Sequence, residues 1–121
     1  MPIVDVEIVC TAGRHVSAST QALADELGRV FGSEPGRTWV RVRALPRESY
    51  AENASVLGER ELPAFVTVLH ARPPVGEALT AEAQAVTAAT ARVLQCPPEL
   101  VHVQYAPAGI GRVAFGGKLV S

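Results

Sequence analysis

The chain has 121 residues, 48% of them apolar and 19% charged, and eleven basic residues nearly balance twelve acidic ones for a formal net charge of −1. This length fits one domain or two small repeats that share a core, and the composition argues against intrinsic disorder. No basic face stands out for nucleic acid, and no apolar run approaches the roughly 20 residues of a membrane helix. The acidic N-terminal stretch is unlike a secretory signal, so we expect a cytoplasmic enzyme or binding protein.

The first part of the chain has the pattern of a strand, a helix and a second strand. Residues 2–10 alternate between apolar and acidic side chains, which is the period of a half-buried strand. Ser17 is the predicted N-cap of a helix whose apolar positions recur at helical spacing as far as Phe31, where a segment containing Gly and Pro ends it. Residues 38–43 alternate again until Pro46, so this unit is β-α-β.

The same order of elements returns in the second part of the chain. Residues 64–69 are predicted to form a strand, and Thr80 is predicted to cap a helix that runs to about Leu94. Two consecutive prolines then break the helix, and residues 100–105 form the last predicted strand.

Matching residues in the two halves indicate a tandem duplication. The residues that recur in the same order are Pro2, Arg29 and Val40, which return as Pro63, Arg92 and Val101. We therefore predict a single domain, residues 1–121, made of two repeats at about 2–58 and 63–119.

These two units predict an α/β (more narrowly, α+β) fold. Strands joined by a helical crossover lie parallel in one sheet, so two units give four strands with two helices on one face. The other face is predicted to carry Ile3, Trp39, Val66 and Val68, which are too apolar to leave in water. We expect that face to pack on other copies in a small ring-closed oligomer.

The sequence predicts no metal or cofactor site. Cys10 and Cys96 share no metal-type spacing, and we interpret them as reduced, buried apolar groups. His15 and His70 are interpreted as surface or interface residues. The Gly-rich segment around Ile110 resembles a phosphate loop only superficially, because no helix follows it.

Pro2 is the residue that points most directly to chemistry. Met1 is generally removed when a small residue such as Pro follows, which would expose a secondary amine. An α-amino group titrates near 8, and burial beside arginines lowers that value, so Pro2 would become a general base. The structural alternative is that Pro2 only begins a strand, where its missing N–H costs nothing. If Met1 is retained, the nitrogen is an amide and the catalytic interpretation fails.

Several segments resemble the tautomerase superfamily, which includes 4-oxalocrotonate tautomerase and macrophage migration inhibitory factor. The segments that carry the resemblance are Pro2-Ile3, Gly13-Arg14, Val40-Arg41-Val42 and the tail at residues 111–119. The resemblance covers nearly the whole chain, and the doubled unit is similar to fused members in which three chains do the work of six. It implies the tautomerase/MIF-like fold, a homotrimer and no cofactor.

The resemblance also implies roles for individual residues. Pro2 stands where the family has the N-terminal proline that moves a proton between carbon and oxygen. Arg14 lies near the arginine that binds the substrate carboxylate, and Arg41 matches the one that polarises a 2-oxo or 2-hydroxy group. In the second unit Arg72 matches Arg14, and His102 matches Arg41 and would reach the proline site of a neighbouring chain.

The implied substrate is a small 2-oxo or 2-hydroxy unsaturated carboxylate, interconverted between its keto and enol forms. An arginine fork can hold its carboxylate through two hydrogen bonds, and a second cation can stabilise the enolate oxygen. The family's aromatic pocket residue falls on Val113 here, and Phe115 is the predicted replacement. No nucleic-acid or membrane partner is expected.

Simpler explanations exist for the same residues. Arg41 and Arg43 lie on one strand face and could form interface salt bridges, whereas Arg14 and Arg72 could be solvated loop residues. His102 fits a pocket role and a structural role equally well.

Two other functions remain open from the sequence. One is a hydratase or dehalogenase in which a cationic Pro2 acts as the acid, with Arg72 binding and Glu52 activating water. The acid that a decarboxylase-like member carries before the second strand is absent, because Arg37 and Thr38 stand there. The other is a non-enzymatic trimeric scaffold, which a retained Met1 would favour.

Overall fold

A computed structural model describes residues 1–11, 19–58 and 62–121 of the chain. The predictions on Arg14, His15 and Ser17 concern residues outside these ranges and stay predictions. The helices and strands, in chain order, are β1 (Ile3–Cys10), α1 (Thr20–Phe31), β2 (Trp39–Pro46), β3 (Ala64–Leu69), α2 (Glu77–Leu94), β4 (Val101–Tyr105), β5 (Ala114–Phe115) and β6 (Lys118–Leu119).

Four of the strands form one mixed sheet in the order β2-β1-β3-β4. Each β-α-β unit pairs its own two strands in parallel, as a helical crossover requires. The two units join through the antiparallel pair β1–β3, where Ile3 lies opposite Leu69 and Ile8 lies opposite Ala64. The helices pack on each other and on one face of this sheet, which confirms the predicted fold class.

The core fills the space between the helices and that face of the sheet. Every second residue of β1 and β3 is fully buried there, including Val4 and Val66. Leu23 and Leu27 are four positions apart on α1, so they lie on one side of the helix, and both have no exposed surface. Val86 of α2 is also fully buried and belongs to the same cluster.

The prediction that Val66 and Val68 lie on the sheet face away from the helices is wrong. Both side chains are fully buried against the helices, because Val68 lies opposite Val4 and Val66 opposite Val6. Directly opposite residues of paired strands point to the same face, so the register of β3 fixes their side.

The opposite face, which we call the open face, carries polar as well as apolar side chains. Ile3 and Trp39 lie on it as predicted, and both are half-buried. Thr67 lies there too, where its hydroxyl accepts a hydrogen bond from Gln104 of β4 at 2.8 Å. Strand alternation also assigns Phe65 and Leu69 of β3 to this face. The open face is therefore less uniformly apolar than the sequence predicts.

The second helix begins earlier than predicted. It starts at Glu77 after Gly76, whose φ of 60° lets the chain turn sharply into the helix. Thr80 is therefore not the cap but a residue of the first turn, and its hydroxyl donates to the Gly76 carbonyl at 3.4 Å. The predicted helix end at Leu94 is confirmed.

The C-terminal tail folds back as a small hairpin of β5 and β6. Gly116 and Gly117 have φ values of 57° and 84°, which a two-residue hairpin turn demands and which glycine adopts at little cost. Phe115 of this hairpin stacks on Trp39 with ring centroids 4.9 Å apart. The tail is thereby fixed beside the start of β2.

The buried side of β3 can be tested by truncation. We expect Val68→Ala to lower the free energy of unfolding by about 2 kcal/mol, because it leaves a cavity under two helices. The control Val56→Ala removes the same atoms from a side chain that is 96% exposed and should change stability by less than about 0.5 kcal/mol. Denaturant unfolding measures the free energy of unfolding of both variants. An equal loss in the two would contradict the burial of Val68 against the helices.

Candidate active site

One edge of the sheet brings three parts of the chain to the N-terminus. Ile3 pairs with Trp39 at the start of β2 and with Leu69 at the end of β3. The residues before β1, the residues before β2 and the residues after β3 consequently lie side by side. We call this edge, with Met1 and Pro2 at its centre, the N-terminal edge.

Pro2 is held tightly at this edge. Less than 2% of its side chain is exposed, and its carbonyl accepts a hydrogen bond from the Trp39 amide at 3.1 Å. Burial, and then the nearby positive charge of Arg37, lower the pKa of the Met1 amine from its ordinary value near 8. An amine at this edge is thus pushed toward its neutral, basic form.

Two exposed arginines belong to the N-terminal edge. Arg37 precedes β2 and Arg72 follows β3, and neither forms an ion pair with any carboxylate in the described ranges. The segment before Arg72 is anchored, because the carbonyls of His70 and Ala71 accept hydrogen bonds from the Gly109 and Ile110 amides at 2.8 and 3.2 Å. The edge therefore offers two cations to an anionic ligand.

Arg41 is engaged within the sheet. Its guanidinium donates two hydrogen bonds to Asp5, from Nε to Oδ1 at 2.6 Å and from Nη2 to Oδ2 at 2.9 Å. This pairing raises the pKa of Arg41. The pair is exposed on the open face, where solvent weakens such ion pairs, so another carboxylate could compete with Asp5 for Arg41.

His102 lies away from Pro2 within one chain. Its ring sits 5.3 Å from that of Phe65, and Phe65 pairs with Glu7, four positions along β1 from Ile3. At about 3.3 Å per residue, those four positions separate His102 from the N-terminal edge by about 13 Å along the sheet. The predicted role of His102 therefore requires a neighbouring chain.

Val113 and Phe115 of the tail differ in how deeply they are buried and in what they contact. Phe115 is 39% exposed and stacks on Trp39, whose amide holds the Pro2 carbonyl. Val113 lies deeper, beside Gly109 and the Met1 side chain. Both residues border the N-terminal edge.

Sequence reasoning missed Arg37, Trp39 and Gly109 as site residues. The signal for the first two was available, because a parallel crossover puts the residues before β2 beside those before β1. From the sequence, Arg37 has meaning only as the residue that stands where a decarboxylase-like member carries an acid. Gly109 carried no recognisable signal, since its packing depends on how the tail folds.

A second polar cluster supports the site from the helix side. His70 Nε2 lies 2.9 Å from Glu82 Oε2, which also accepts a hydrogen bond from the Tyr105 hydroxyl at 2.7 Å. The side chain of His70 is only 13% exposed, so the surface alternative of its prediction is wrong, and the interface alternative stays a prediction. Burial and the Glu82 carboxylate raise the pKa of Tyr105 above its ordinary range. This cluster fixes the residue whose carbonyl anchors Gly109.

No three His, Cys, Asp or Glu side chains in the described ranges converge as metal ligands. Among those same residues no helix combines the length and apolar character needed to cross a bilayer. Neither Cys10 nor Cys96 is in a disulfide.

Comparison with known proteins shows what the fold is similar to. No protein-family model matches the sequence, and no curated protein matches it. Solved structures match with TM-scores of 0.77 for the fused 4-OT Q0 wild-type symmetric trimer, 0.76 for Pt0534 inactivated by 2-oxo-3-pentynoate and 0.74 for a macrophage migration inhibitory factor homologue from Prochlorococcus marinus.

The three structures are 16%, 13% and 11% identical to this sequence, in the same order. Each match covers 98% of this chain and, respectively, 94%, 94% and 99% of the other chain. The predicted resemblance to the tautomerase superfamily is therefore confirmed at the level of the fold.

The charge of Arg37 should be measurable at the chain terminus. Arg37→Gln removes a cation that disfavours the protonated amine, so we expect the pKa of the terminal amine to rise, while burial still holds it below its ordinary value. The pH dependence of labelling by an amine-specific reagent reports this pKa. Arg43→Gln, an exposed cation further along β2, is the control, and an equal shift in both variants would contradict the assignment.

The two tyrosines should resist ionisation in the folded protein. The hydroxyl of Tyr50 donates to Glu52 at 2.6 Å, which raises the pKa of Tyr50 to about 12. The pKa of Tyr105 is also raised, because this residue is partly buried and donates to Glu82. Spectrophotometric titration should show no tyrosinate at pH 10 until denaturant is added. A midpoint near 10 in the folded protein would contradict both contacts.

Proposed function

We propose that this protein is a cofactor-independent tautomerase that uses Pro2, freed by removal of Met1, as its general base. The observation that carries the proposal is a buried proline at the second position, on an edge where burial and the charge of Arg37 lower the pKa of the neighbouring Met1 amine. A secondary amine that is neutral near pH 7 can accept a proton from carbon or oxygen and return it elsewhere.

The proposed substrate is a small 2-oxo or 2-hydroxy unsaturated carboxylate. Arg72 and Arg37 are exposed cations at the N-terminal edge, with no ion pair to a described carboxylate, and a guanidinium binds a carboxylate through two parallel hydrogen bonds. Arg41, once released from Asp5, and Arg14 are further candidates for this role. The solved structure of Pt0534 inactivated by 2-oxo-3-pentynoate makes a 2-oxo acid a reasonable ligand to test here.

The proposed reaction moves one proton and changes no atom count. The Pro2 nitrogen takes a proton from the carbon beside the 2-oxo group, and the electron pair of the broken C–H bond forms the enolate. An arginine stabilises the negative charge on the enolate oxygen, and that stabilisation lowers the barrier. The protonated proline then returns the proton to oxygen or to a carbon further along the conjugated chain.

Features of the same edge argue against the hydratase or dehalogenase alternative. That reaction needs a cationic proline, whereas burial and Arg37 both lower the pKa of the Met1 amine at this edge, and we expect them to act in the same way on a free Pro2 amine. It also needs a carboxylate that activates water near Pro2. Glu52 is held by Tyr50, whose ring lies 5.7 Å from Phe65 and thus toward the other end of the sheet.

We further propose that the working form is a homotrimer assembled through the open face. The half-buried Ile3 and Trp39 on this face would be covered by neighbouring copies, and His102 and Phe115 would then be available to a neighbour's site. One structurally similar protein, the fused 4-OT Q0, was solved as a symmetric trimer.

The decisive variant is Pro2→Ala. We expect kcat/KM for a 2-hydroxy-2,4-dienoate to fall by about 10²-fold or more, because the positioned base is replaced. Ketonisation followed by ultraviolet absorbance measures the rate. Intact mass confirms that Met1 is absent from both proteins, and light scattering confirms that both have the same oligomeric state.

Pro63→Ala is the matched control for this variant. Pro63 is the counterpart of Pro2 in the second repeat and is equally buried, but its nitrogen is a chain amide and cannot act as a base. We expect activity close to that of the parent protein. Unchanged activity in Pro2→Ala, or activity in a parent protein that retains Met1, would contradict the proposed function.

A further inference from the structure

The side chain of Met1 occupies a defined place beside Gly109. Its Cε lies 2.6 Å from the point where a β-carbon on residue 109 would stand, which is closer than two carbon atoms can approach. The same point is 3.2 Å from Val113 Cγ2 and 3.3 Å from the carbonyl oxygen of His70. The methionine therefore fills a space that exists because residue 109 has no side chain.

The walls of this space are fixed by backbone hydrogen bonds. The Gly109 amide donates to His70 at 2.8 Å, and the Gly109 carbonyl accepts from the Arg112 and Val113 amides at 2.8 and 3.0 Å. The Val113 carbonyl in turn accepts from Val120 at 2.8 Å. Residues 109–113 thus form a tight turn, and the hydrogen bond from Val120 fixes it to the C-terminal tail.

Removal of Met1 would empty this space next to the new N-terminus. Met1 is bonded directly to the Pro2 nitrogen, so the vacated space adjoins the amine that its removal creates. Gly109 is itself buried, and the turn that holds it is hydrogen-bonded to His70 and Ala71, which follow β3, so we expect the walls to persist without Met1.

We propose that the space vacated by Met1 between Gly109 and Val113 receives the hydrocarbon end of the substrate, and that Gly109 sets the size of the group that enters. This inference rests on the proposed function of Pro2 and extends it to the choice of substrate. The walls suit an apolar group, because Val113 is aliphatic and the His70 carbonyl already accepts a hydrogen bond from Gly109.

The shape of the methionine predicts the shape of the ligand. Methionine is an unbranched chain of about four non-hydrogen atoms, so the space suits an unbranched substituent of similar length. The substrate carboxylate would remain toward the exposed Arg37 and Arg72. We therefore expect unbranched 2-oxo acids to be preferred over acids branched near the reacting carbon.

Exchange of the C3 hydrogens with D2O measures proton abstraction from saturated 2-oxo acids directly by NMR. Three probes share the reacting group and differ only in the attached chain: pyruvate, 2-oxopentanoate and 2-oxo-4,4-dimethylpentanoate. In the parent protein we expect 2-oxopentanoate to exchange with a kcat/KM at least about tenfold above that of the branched acid.

Gly109→Ala tests the proposal by filling part of the space with one methyl group. Once Met1 is gone, the new methyl still meets Val113 Cγ2 at 3.2 Å and the His70 carbonyl oxygen at 3.3 Å, and both must yield by a few tenths of an ångström. We expect KM for 2-oxopentanoate to rise about tenfold relative to KM for pyruvate, because pyruvate has no chain that would enter the space. Gly28→Ala is the matched control, because a β-carbon there meets nothing within 4 Å.

A second variant makes the space larger instead of smaller. Val113→Ala enlarges it, so we expect exchange of 2-oxo-4,4-dimethylpentanoate to rise relative to 2-oxopentanoate. This variant keeps the proposal testable if thermal unfolding shows that Gly109→Ala does not fold.

The outcomes separate this inference from the proposed function. The inference is overturned if Gly109→Ala or Val113→Ala folds and treats the three acids in the same ratios as the parent protein. The inference is also overturned if the parent with a free Pro2 ketonises the 2-hydroxy-2,4-dienoate but exchanges none of the three acids. The proposed function fails instead if that parent neither ketonises the dienoate nor exchanges the acids, or if Pro2→Ala does both equally well.

Discussion

The antiparallel pairing of β1 with β3 determines which residues of this protein can act together. Each β-α-β unit is parallel within itself, so the start of β2 necessarily lies beside the start of β1. The antiparallel junction then adds the end of β3 to the same edge and sends the start of β3 to the opposite edge. The parallel pairing therefore brings Pro2 to Arg37 of its own unit, and the antiparallel pairing brings it to the segment before Arg72 of the other unit. It also separates Pro2 from its repeat counterpart Pro63.

Burial and positive charge both lower the pKa of an amine at the N-terminal edge. Burial and the positive charge of Arg37 both lower the pKa of the Met1 amine, and we expect the same two effects to act on a Pro2 amine once Met1 is removed. The same cations would attract a carboxylate from solution. In the proposed reaction, a neutral Pro2 amine close to two cations would be suited to removing a proton from a carbon whose product is an anion. Arg41 differs in this respect, because Asp5 already neutralises its charge.

The sequence predicts much of the fold because alternation and helical spacing report local burial, as in β1 and along Leu23 and Leu27. It fails where the answer depends on pairing between distant segments. The facing of Val66 is set by its partner Val6, and no pattern within β3 reveals that partner. The candidate site follows the same rule. The chemistry of an N-terminal proline is enough to predict Pro2 as a candidate base. Gly109 is part of the candidate site only because the tail folds back against the N-terminus, and local sequence patterns do not predict that contact.

The most direct test of the account is the intact mass of the purified protein combined with a pH titration of its terminal amine. Labelling with an amine-specific reagent across pH gives the pKa of the group that is actually at the terminus. The account predicts a mass without Met1 and a Pro2 amine whose pKa lies below the ordinary value near 8. A mass that includes Met1, or a free Pro2 that titrates at or above 8, would contradict it.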